Sequence, residues 1–231
     1  MKAILWDNDG VLVDTEELYY RATRELLAEL DIELSEADYV EVSLRRGASC
    51  FDLANERGLD AALIEATRLR RNARYEALLR GGVALIDGVA ETLHALRGVV
   101  RMAIVTSTRP EHFALVHDRL GIREHFELVL TGADYTKFKP DPQPYLLAAE
   151  RLGLLPADCL VVEDTERGLV SATRAGMRCV VIPRGLSAGG SYAAAYRVLE
   201  RASEIVPIVR ELVDRAGSDV PLTVPPRPPP A

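Results

Sequence analysis

The chain opens with a short apolar run that is followed at once by two aspartates, and this stretch constrains the fold more than any other. Residues 3–6 read Ala-Ile-Leu-Trp, and Asp7, Asp9 and Gly10 come directly after them. Such a run is typical of a buried strand, and open α/β sheets bind ligands at the carboxyl ends of their strands. Successive strand residues alternate faces, so Asp7 and Asp9 are expected to point the same way before Gly10 permits a tight turn. Two close carboxylates repel, and a hard cation between them relieves the repulsion.

Two kinds of pattern divide the rest of the chain. Residues 15–82 read as helices throughout, and the apolar residues of 16–30 recur on one helix face. Beyond Gly82, apolar runs that are typical of strands alternate with helical patterns; the predicted strands are 101–105, 128–130, 159–162 and 179–182. This alternation predicts a parallel α/β sheet, because each crossover needs a helix to return the chain.

We therefore predict an α/β fold with a doubly wound, Rossmann-like parallel sheet and an inserted all-helical domain. Residues 1–14 and 83–216 are expected to form the sheet core, and residues 15–82 the helical insertion. The proline-rich residues 217–231 are expected to form a disordered tail.

The composition of the chain argues against several classes of binding partner. The net charge is −7, which argues against a nucleic-acid partner or an anionic membrane surface. No apolar run is long enough to span a bilayer, and none matches a signal peptide. The three cysteines are odd in number and lack metal-ligand spacing, so we expect reduced thiols and a cytoplasmic location.

Three further strand ends also carry polar residues. Thr106 and Ser107 follow one strand, Lys139 lies in the loop before a predicted helix, and Glu163 and Asp164 follow another strand. Hydroxyls before a helix can bind phosphate but also serve as ordinary N-caps, and a lone loop lysine is usually solvated. Adjacent carboxylates after a buried strand are costly unless a cation meets them. Agreement among the segments favours one shared site.

The order of these segments resembles the haloacid dehalogenase superfamily of phosphotransferases, in the branch with a helical cap after the first strand. The resemblance extends from Lys2 to about Arg215. Within it, residues 163–177 resemble the fourth motif of the branch that contains β-phosphoglucomutase and phosphoglycolate phosphatase. The resemblance implies an Mg²⁺-dependent phosphatase that acts on a small phosphorylated metabolite, such as a sugar phosphate or a phosphoglycolate-like compound.

The resemblance also implies roles for individual residues. Asp7 would be the nucleophile that forms an aspartyl-phosphate, and Asp9 the general acid and base. Mg²⁺ would bind Asp7, the backbone carbonyl of Asp9, and Asp164, with assistance from Glu163.

Other residues would contact the substrate. Thr106, Ser107 and Lys139 would hold the phosphoryl oxygens, where transition-state charge lies. In the insertion, Glu16, Tyr19 and Arg46 are expected to contact the organic part of the substrate. The arginines between residues 68 and 74 are expected to form a solvated helix face that is paired with acids.

Other chemistries of the superfamily fit less well. Dehalogenases of this kind lack the second aspartate, which is present here as Asp9, and phosphonate-cleaving members need a cap lysine that residues 15–82 do not contain. A β-phosphoglucomutase-like mutase stays an alternative, although Tyr19 and Cys50 stand where such mutases carry a histidine and an arginine. A non-catalytic phosphometabolite-binding protein is a further alternative. The sequence does not indicate the oligomeric state.

Overall fold

The computed structural model describes residues 1–218, and its centre is one sheet of six parallel strands in the order β3-β2-β1-β4-β5-β6. The strands are β1 (Ala3–Trp6), β2 (Arg101–Val105), β3 (Leu128–Leu130), β4 (Cys159–Glu163), β5 (Arg178–Val181) and β6 (Arg197–Val198). The predicted parallel α/β architecture is confirmed. The short strand β6 was not predicted, because its two exposed residues carry no apolar pattern.

Helices surround the sheet and fill the segment between β1 and β2. They are α1 (Glu16–Ala28), α2 (Glu36–Tyr39), α3 (Asp52–Glu56), α4 (Ala61–Arg80), α5 (Val89–Leu96), α6 (Pro110–His117), α7 (Gln143–Arg151), α8 (Glu166–Arg174) and α9 (Ile205–Ser218). A π-helical turn, Val40–Arg45, continues α2. Within residues 1–218, none of these helices is both long and apolar enough to cross a membrane.

Local side-chain bonds explain where several helices begin. Ser35 accepts a hydrogen bond from the backbone N–H of Asp38 at 3.1 Å, which caps the start of α2. Helix α3 begins only at Asp52, although the sequence from residue 48 onward reads as helical. The reason is that Ser49 Oγ accepts a hydrogen bond from the N–H of Phe51 at 3.2 Å, which favours a turn before the helix.

Apolar side chains cover both faces of the sheet, as expected for parallel strands. In β1, Ile4 and Trp6 belong to one core layer, and Ala3 and Leu5 belong to the opposite layer. A third cluster, which includes Tyr39 and Phe51, lies mainly within the helical insertion of residues 15–82. The division of the chain into two domains at these boundaries stays a prediction.

The strand order places β1 between β2 and β4, and this arrangement assembles the polar strand ends. Trp6 lies opposite Ile104 on one side and Val162 on the other. The residues that follow all three strands therefore share one edge of the sheet. Most of the predicted tail, residues 219–231, lies outside the described residues, whereas residues 217 and 218 end helix α9.

Candidate active site

The turn after β1 brings Asp7 against the acidic pair at the end of β4, Glu163 and Asp164. The backbone N–H of Asp7 donates to the carbonyl of Val162 at 2.9 Å. Gly10 has a φ of +80°, and a Cβ at this position would overlap the carboxylate of Asp164. Only glycine satisfies both constraints without strain, so Gly10 lets the turn approach Asp164 closely.

Lys139 is the cation at the centre of the acidic residues. Its Nζ lies 2.6 Å from Asp7 Oδ1 and 2.6 Å from Glu163 Oε1, and it donates to the carbonyl of Val105 at 3.0 Å. Only 3% of the Lys139 surface is exposed. A lysine so deeply buried needs such partners, and its position excludes the alternative of a solvated loop lysine.

Glu163 is fixed by further contacts besides Lys139. Tyr145 donates its hydroxyl to Glu163 Oε1 at 2.6 Å, and Thr165 donates to Oε2 at 3.1 Å. The backbone N–H of Asp164 also donates to Oε2, at 3.2 Å. Gly168 leaves the space for this carboxylate, because a Cβ there would overlap it. The Glu163 side chain is therefore held rigidly at the end of β4.

Burial and mutual charge shift the protonation equilibria of this group. Burial and then the charge of Glu163 raise the pKa of Asp7 from 3.8 to about 7, although Lys139 acts in the opposite direction. Burial and then the charges of Glu163 and Asp7 also raise the pKa of Asp164 well above its ordinary value. Lys139 pairs with two of these three carboxylates, Asp7 and Glu163, so in their ionised forms the carboxylates outnumber the ammonium that they surround.

The same cluster fits a hard divalent cation. One carboxylate oxygen from each of Asp7, Glu163 and Asp164 can be chosen so that all three lie within 4.8 Å of one another. Asp164 Oδ1 is buried and has no hydrogen-bond partner among the described residues. An orphaned buried oxygen beside two other carboxylates is the donor set that Mg²⁺ favours.

Asp9 lies in a different environment, among threonine hydroxyls. Thr15 donates to Asp9 Oδ1 at 2.5 Å, and Thr108 donates to Oδ2 at 2.5 Å. The hydroxyl of Thr106 also donates to Oδ2, at 3.1 Å. Sequence reasoning predicted Asp9 and Thr106 but missed Thr15 and Thr108. Both threonines lie beside the start of a helix, which indicates hydroxyls that take part in hydrogen bonds. The sequence alone did not show that their acceptor is Asp9.

A cavity of about 420 Å³ lies between these strand ends and the helical insertion. Asp7, Asp9 and Lys139 line it from the sheet, together with Ser107. From the insertion, the predicted residues Glu16 and Tyr19 line it, and Tyr39 donates a hydrogen bond to Glu16 Oε1.

Arg46, which we expected to contact the substrate, does not line this cavity. Its side chain is 61% exposed, and its Nε lies 3.6 Å from Glu41 Oε1. The residue lies at the end of the π-helical turn, and sequence periodicity does not specify on which side such a turn leaves its last side chains. We therefore remove Arg46 from the candidate substrate contacts.

A second correction concerns the arginines of α4. Arg70 and Arg74 form ion pairs with Glu29 and Glu25 as a solvated face would, each at 2.6 Å. Arg71, in contrast, is 8% exposed and lines the cavity. The expectation of a uniformly solvated face is wrong for Arg71. Arg167 also lines the cavity, and sequence reasoning missed it.

His117 contacts Asn8, which lies between Asp7 and Asp9, and the sequence did not predict this contact. Its Nε2 lies 2.7 Å from Asn8 Oδ1, while its Nδ1 is buried without a partner among residues 1–218. Burial lowers the pKa of His117 from 6.5 to about 4. The imidazole is therefore neutral near pH 7 and donates its Nε2 proton to the Asn8 carbonyl.

The family model of haloacid dehalogenase-like hydrolases matches residues 1–176, which is most of the chain. The chain belongs to this family. The resemblance identified from the strand-end motifs is thus confirmed.

Individual relatives agree with this assignment. A protein named CbbY from Rhodobacter capsulatus is 32% identical over 224 residues, which cover 92% of this chain and 99% of that protein. A phosphoglycolate phosphatase from Xanthomonas campestris is 30% identical over 189 residues, covering 81% and 86% of the two chains.

A solved structure shows the same fold. CbbY from Rhodobacter sphaeroides, crystallised in complex with phosphate, superimposes with a TM-score of 0.75 at 29% identity. The match covers 89% of this chain and 96% of that structure. With its family membership and its phosphatase relatives, the chain is an enzyme of the phosphatase type.

Proposed function

We propose that this phosphatase is an Mg²⁺-dependent phosphomonoester hydrolase that forms an aspartyl-phosphate on Asp7. The observation that carries the proposal is the meeting of Asp7, Glu163 and Asp164 around one point beside Lys139. The cluster has more carboxylates than cations and borders a cavity, so it can bind a metal ion and, through that ion, a phosphate.

The metal would be held by the carboxylates of Asp7 and Asp164, with Glu163 beside them and the Asp9 backbone carbonyl as a further ligand. When bound, Mg²⁺ would screen the repulsion between the anionic nucleophile and the anionic phosphate. Lys139 and Ser107 would hold the phosphoryl oxygens, where charge accumulates in the transition state. Because the Thr106 hydroxyl bonds to Asp9, we propose that its main role is to orient that carboxyl group.

The first half-reaction transfers the phosphoryl group to the protein. A carboxylate oxygen of Asp7 attacks phosphorus and the bond between phosphorus and the ester oxygen breaks. Asp9, in its protonated form, gives its proton to the leaving alkoxide, so the alcohol departs uncharged. The threonines around Asp9 hold its carboxyl group in the orientation that this transfer needs.

The second half-reaction restores the enzyme. Asp9, now a carboxylate, takes a proton from water, and the resulting hydroxide attacks phosphorus. The bond between phosphorus and Asp7 breaks, which releases inorganic phosphate and the free Asp7 carboxylate.

We further propose that residues 15–82 act as a lid that excludes bulk water and selects the leaving group. Glu16 and Tyr19 contribute to the lid side of the cavity. The ion pair between Arg45 and Glu166, 2.8 Å long, joins the insertion to α8. The expected substrate is a small phosphorylated metabolite, such as a sugar phosphate or a phosphoglycolate-like compound. Three free, buried cysteines support a cytoplasmic location.

The direct test is phosphate release from a panel of phosphorylated metabolites and from p-nitrophenyl phosphate. We expect release that requires Mg²⁺ and stops when the metal is chelated. Asp7→Asn is expected to lower kcat by at least about 10³-fold, because the amide is a poor nucleophile.

Asp14→Asn is the matched control. Asp14 lies seven residues after Asp7, but its side chain is 59% exposed and pairs with Arg184 at 3.5 Å. This variant is expected to keep nearly full activity. Equal turnover by Asp7→Asn and the unaltered enzyme would contradict the proposed nucleophile. Interconversion of β-glucose 1-phosphate and glucose 6-phosphate without net phosphate release would instead favour the mutase alternative.

A further inference from the structure

Asp164, one of the three carboxylates of the proposed metal cluster, lies in the short connection between β4 and α8. Its Oδ1 is buried without a partner among the described residues, so it is free to bind a cation. A Cβ on Gly10 would overlap its carboxylate, which shows how closely the turn after β1 packs against it. A small displacement of Asp164 would therefore change the distances between its oxygens and those of Asp7 and Glu163.

Two side chains form hydrogen bonds with the peptide groups of Asp164. Glu163 Oε2 accepts from its N–H at 3.2 Å, and the hydroxyl of Tyr192 donates to its carbonyl at 3.0 Å. Asp164 is 1% exposed. A buried carbonyl that loses its donor is costly, so we expect the peptide of Asp164 to shift when the Tyr192 hydroxyl is removed.

The chain that follows Tyr192 is tied to the sheet. The ring of Tyr192 is partly buried and packs against the core layer that contains Leu5. The carbonyl of Tyr192 accepts from the N–H of Ala195 at 2.9 Å, and the N–H of Tyr196 donates to the carbonyl of Cys179 in β5 at 2.7 Å. The tyrosine is therefore a fixed point from which the hydroxyl can hold another segment.

The loop before Tyr192 is held by the helical insertion. Leu186 packs against the apolar cluster of the insertion, and the carbonyl of Gly189 accepts from Arg45 Nη2 at 3.4 Å. The Tyr192 hydroxyl also lies 2.5 Å from the carbonyl of Ser187, so two carbonyls share its one proton. The hydroxyl thus connects the metal cluster to the loop that the insertion contacts.

We propose that Tyr192 is a positioning residue for the metal, because its hydroxyl holds the peptide of Asp164 and so directs the carboxylate at the cation. The proposal rests on the proposed function, in which Mg²⁺ binds Asp7 and Asp164. Tyr192 does not line the cavity, so its removal is expected to change the affinity for Mg²⁺ and not the affinity for substrate. Groups that orient a metal ligand change metal affinity by about 10-fold or more when they are removed.

The test is the Kd of Mg²⁺ for the metal-free protein without substrate, from calorimetry or from the rise of Tm with Mg²⁺ concentration. Tyr192→Phe removes only the hydroxyl, and we expect the Kd to rise about 10-fold. Tyr196→Phe is the matched control. It removes the same atom four residues later, where the hydroxyl has no hydrogen bond within residues 1–218 and the ring contacts Arg197. This control is expected to change the Kd by less than about 2-fold.

A second variant displaces the hydroxyl without removing it. A Cβ on Gly190 would overlap the Tyr192 hydroxyl, so Gly190→Ala is expected to push the phenol away from Asp164 and to raise the Kd of Mg²⁺ as well. Gly189→Ala adds the same methyl group one residue earlier, where it would meet nothing within 4 Å. Equal Kd values for these two alanine variants overturn the proposal, even where Tyr192→Phe does not fold.

Turnover of p-nitrophenyl phosphate separates positioning of the metal from a general loss of structure. For Tyr192→Phe, we expect the Mg²⁺ concentration that gives the half-maximal rate to rise about 10-fold. At saturating Mg²⁺, kcat and the KM of the ester are expected to lie within about 2-fold of those of the unaltered enzyme. A fall in kcat that Mg²⁺ does not restore, with an unchanged Kd, means that Tyr192 only packs its loop, and it overturns the proposal.

Failure of the proposed function gives a different result. If the unaltered protein binds no Mg²⁺, the metal cluster is wrong and the role of Tyr192 is overturned with it. If the unaltered protein and Tyr192→Phe bind Mg²⁺ equally, only the role of Tyr192 is overturned. A 10-fold rise in the Kd supports that role even if the enzyme hydrolyses none of the phosphate esters.

Discussion

The two halves of the cavity are built in different ways. In the sheet half, Asp7 and Glu163 lie at the ends of strands, and Lys139 reaches them from a loop. Its Nζ is 2.6 Å from Asp7 Oδ1 and 2.6 Å from Glu163 Oε1. In the insertion half, neutral side chains hold Arg71 on α4, and no carboxylate of residues 1–218 forms an ion pair with it. Under the proposed function, the first half would carry out the chemistry common to all substrates, and the second half would discriminate between them.

The largest effect that follows from this comparison concerns Lys139. Lys139→Met leaves Asp7 and Glu163 facing each other without their shared cation, so we expect kcat to fall by at least about 10³-fold for every substrate alike. Lys137→Met is the matched control, because Lys137 is 69% exposed and lies 3.9 Å from Asp141. Steady-state assays on several phosphate esters check this. A loss limited to some substrates would contradict the division between the halves.

A glycine tests how tightly the sheet half is packed. Gly168→Ala places a methyl group on the buried carboxylate of Glu163, which four hydrogen bonds hold in place. We expect the free energy of unfolding to fall by about 3 kcal/mol, with loss of activity. Gly189→Ala is the control, because its Cβ would meet nothing within 4 Å. Urea denaturation measures both, and equal stabilities would show that the strand end can rearrange.

The pH dependence of the unfolding free energy tests the contact between His117 and Asn8. Burial lowers the pKa of His117 to about 4, and the charges of Asp9, Arg123 and Asp118 act in smaller and opposing ways. Because the folded-state pKa lies below the unfolded-state value, the unfolded chain binds the proton first as the pH falls. Stability is therefore lost as the pH falls from about 6.5 to about 4.

His117→Gln removes this titration and can still donate to Asn8. Between about pH 7 and about pH 4, the unaltered protein is expected to lose about 2 kcal/mol more of unfolding free energy than the variant. Thermal or urea denaturation at several pH values measures the difference. Parallel curves for the two proteins would mean that His117 is not held neutral.

The smallest effect is expected at the contact between insertion and core. Arg45→Gln breaks the ion pair with Glu166, but the Arg45 side chain is 41% exposed. Such pairs contribute less than about 1 kcal/mol, so we expect little change in stability and a few-fold rise in KM at most. A loss of kcat as large as that expected for Lys139→Met would mean that the insertion takes part in the chemistry rather than in closure.

The sequence predicted the residues of the sheet half of the cavity better than those of the insertion half. Asp7, Glu163 and Asp164 were predicted to meet because parallel strands share an edge, and the structure brings them together. Thr108 and Tyr145 were missed because each acts on a carboxylate distant in sequence. Thr15 was missed although Asp9 is only six residues away, because the path of the turn after β1 decides that contact. In the insertion, Glu16 and Tyr19 were placed at the cavity, whereas Arg46 was placed there wrongly.

The sequence by itself determined the parallel α/β fold and the residues at its strand ends, because strand periodicity and the sheet edge are properties of short segments. The family followed from the order of those segments. Only the tertiary structure decided that Arg71 turns inward while Arg70 and Arg74 pair with acids. Adjacent helix residues differ by about 100° around the axis, so the way α4 packs against its neighbours decides which arginine is buried.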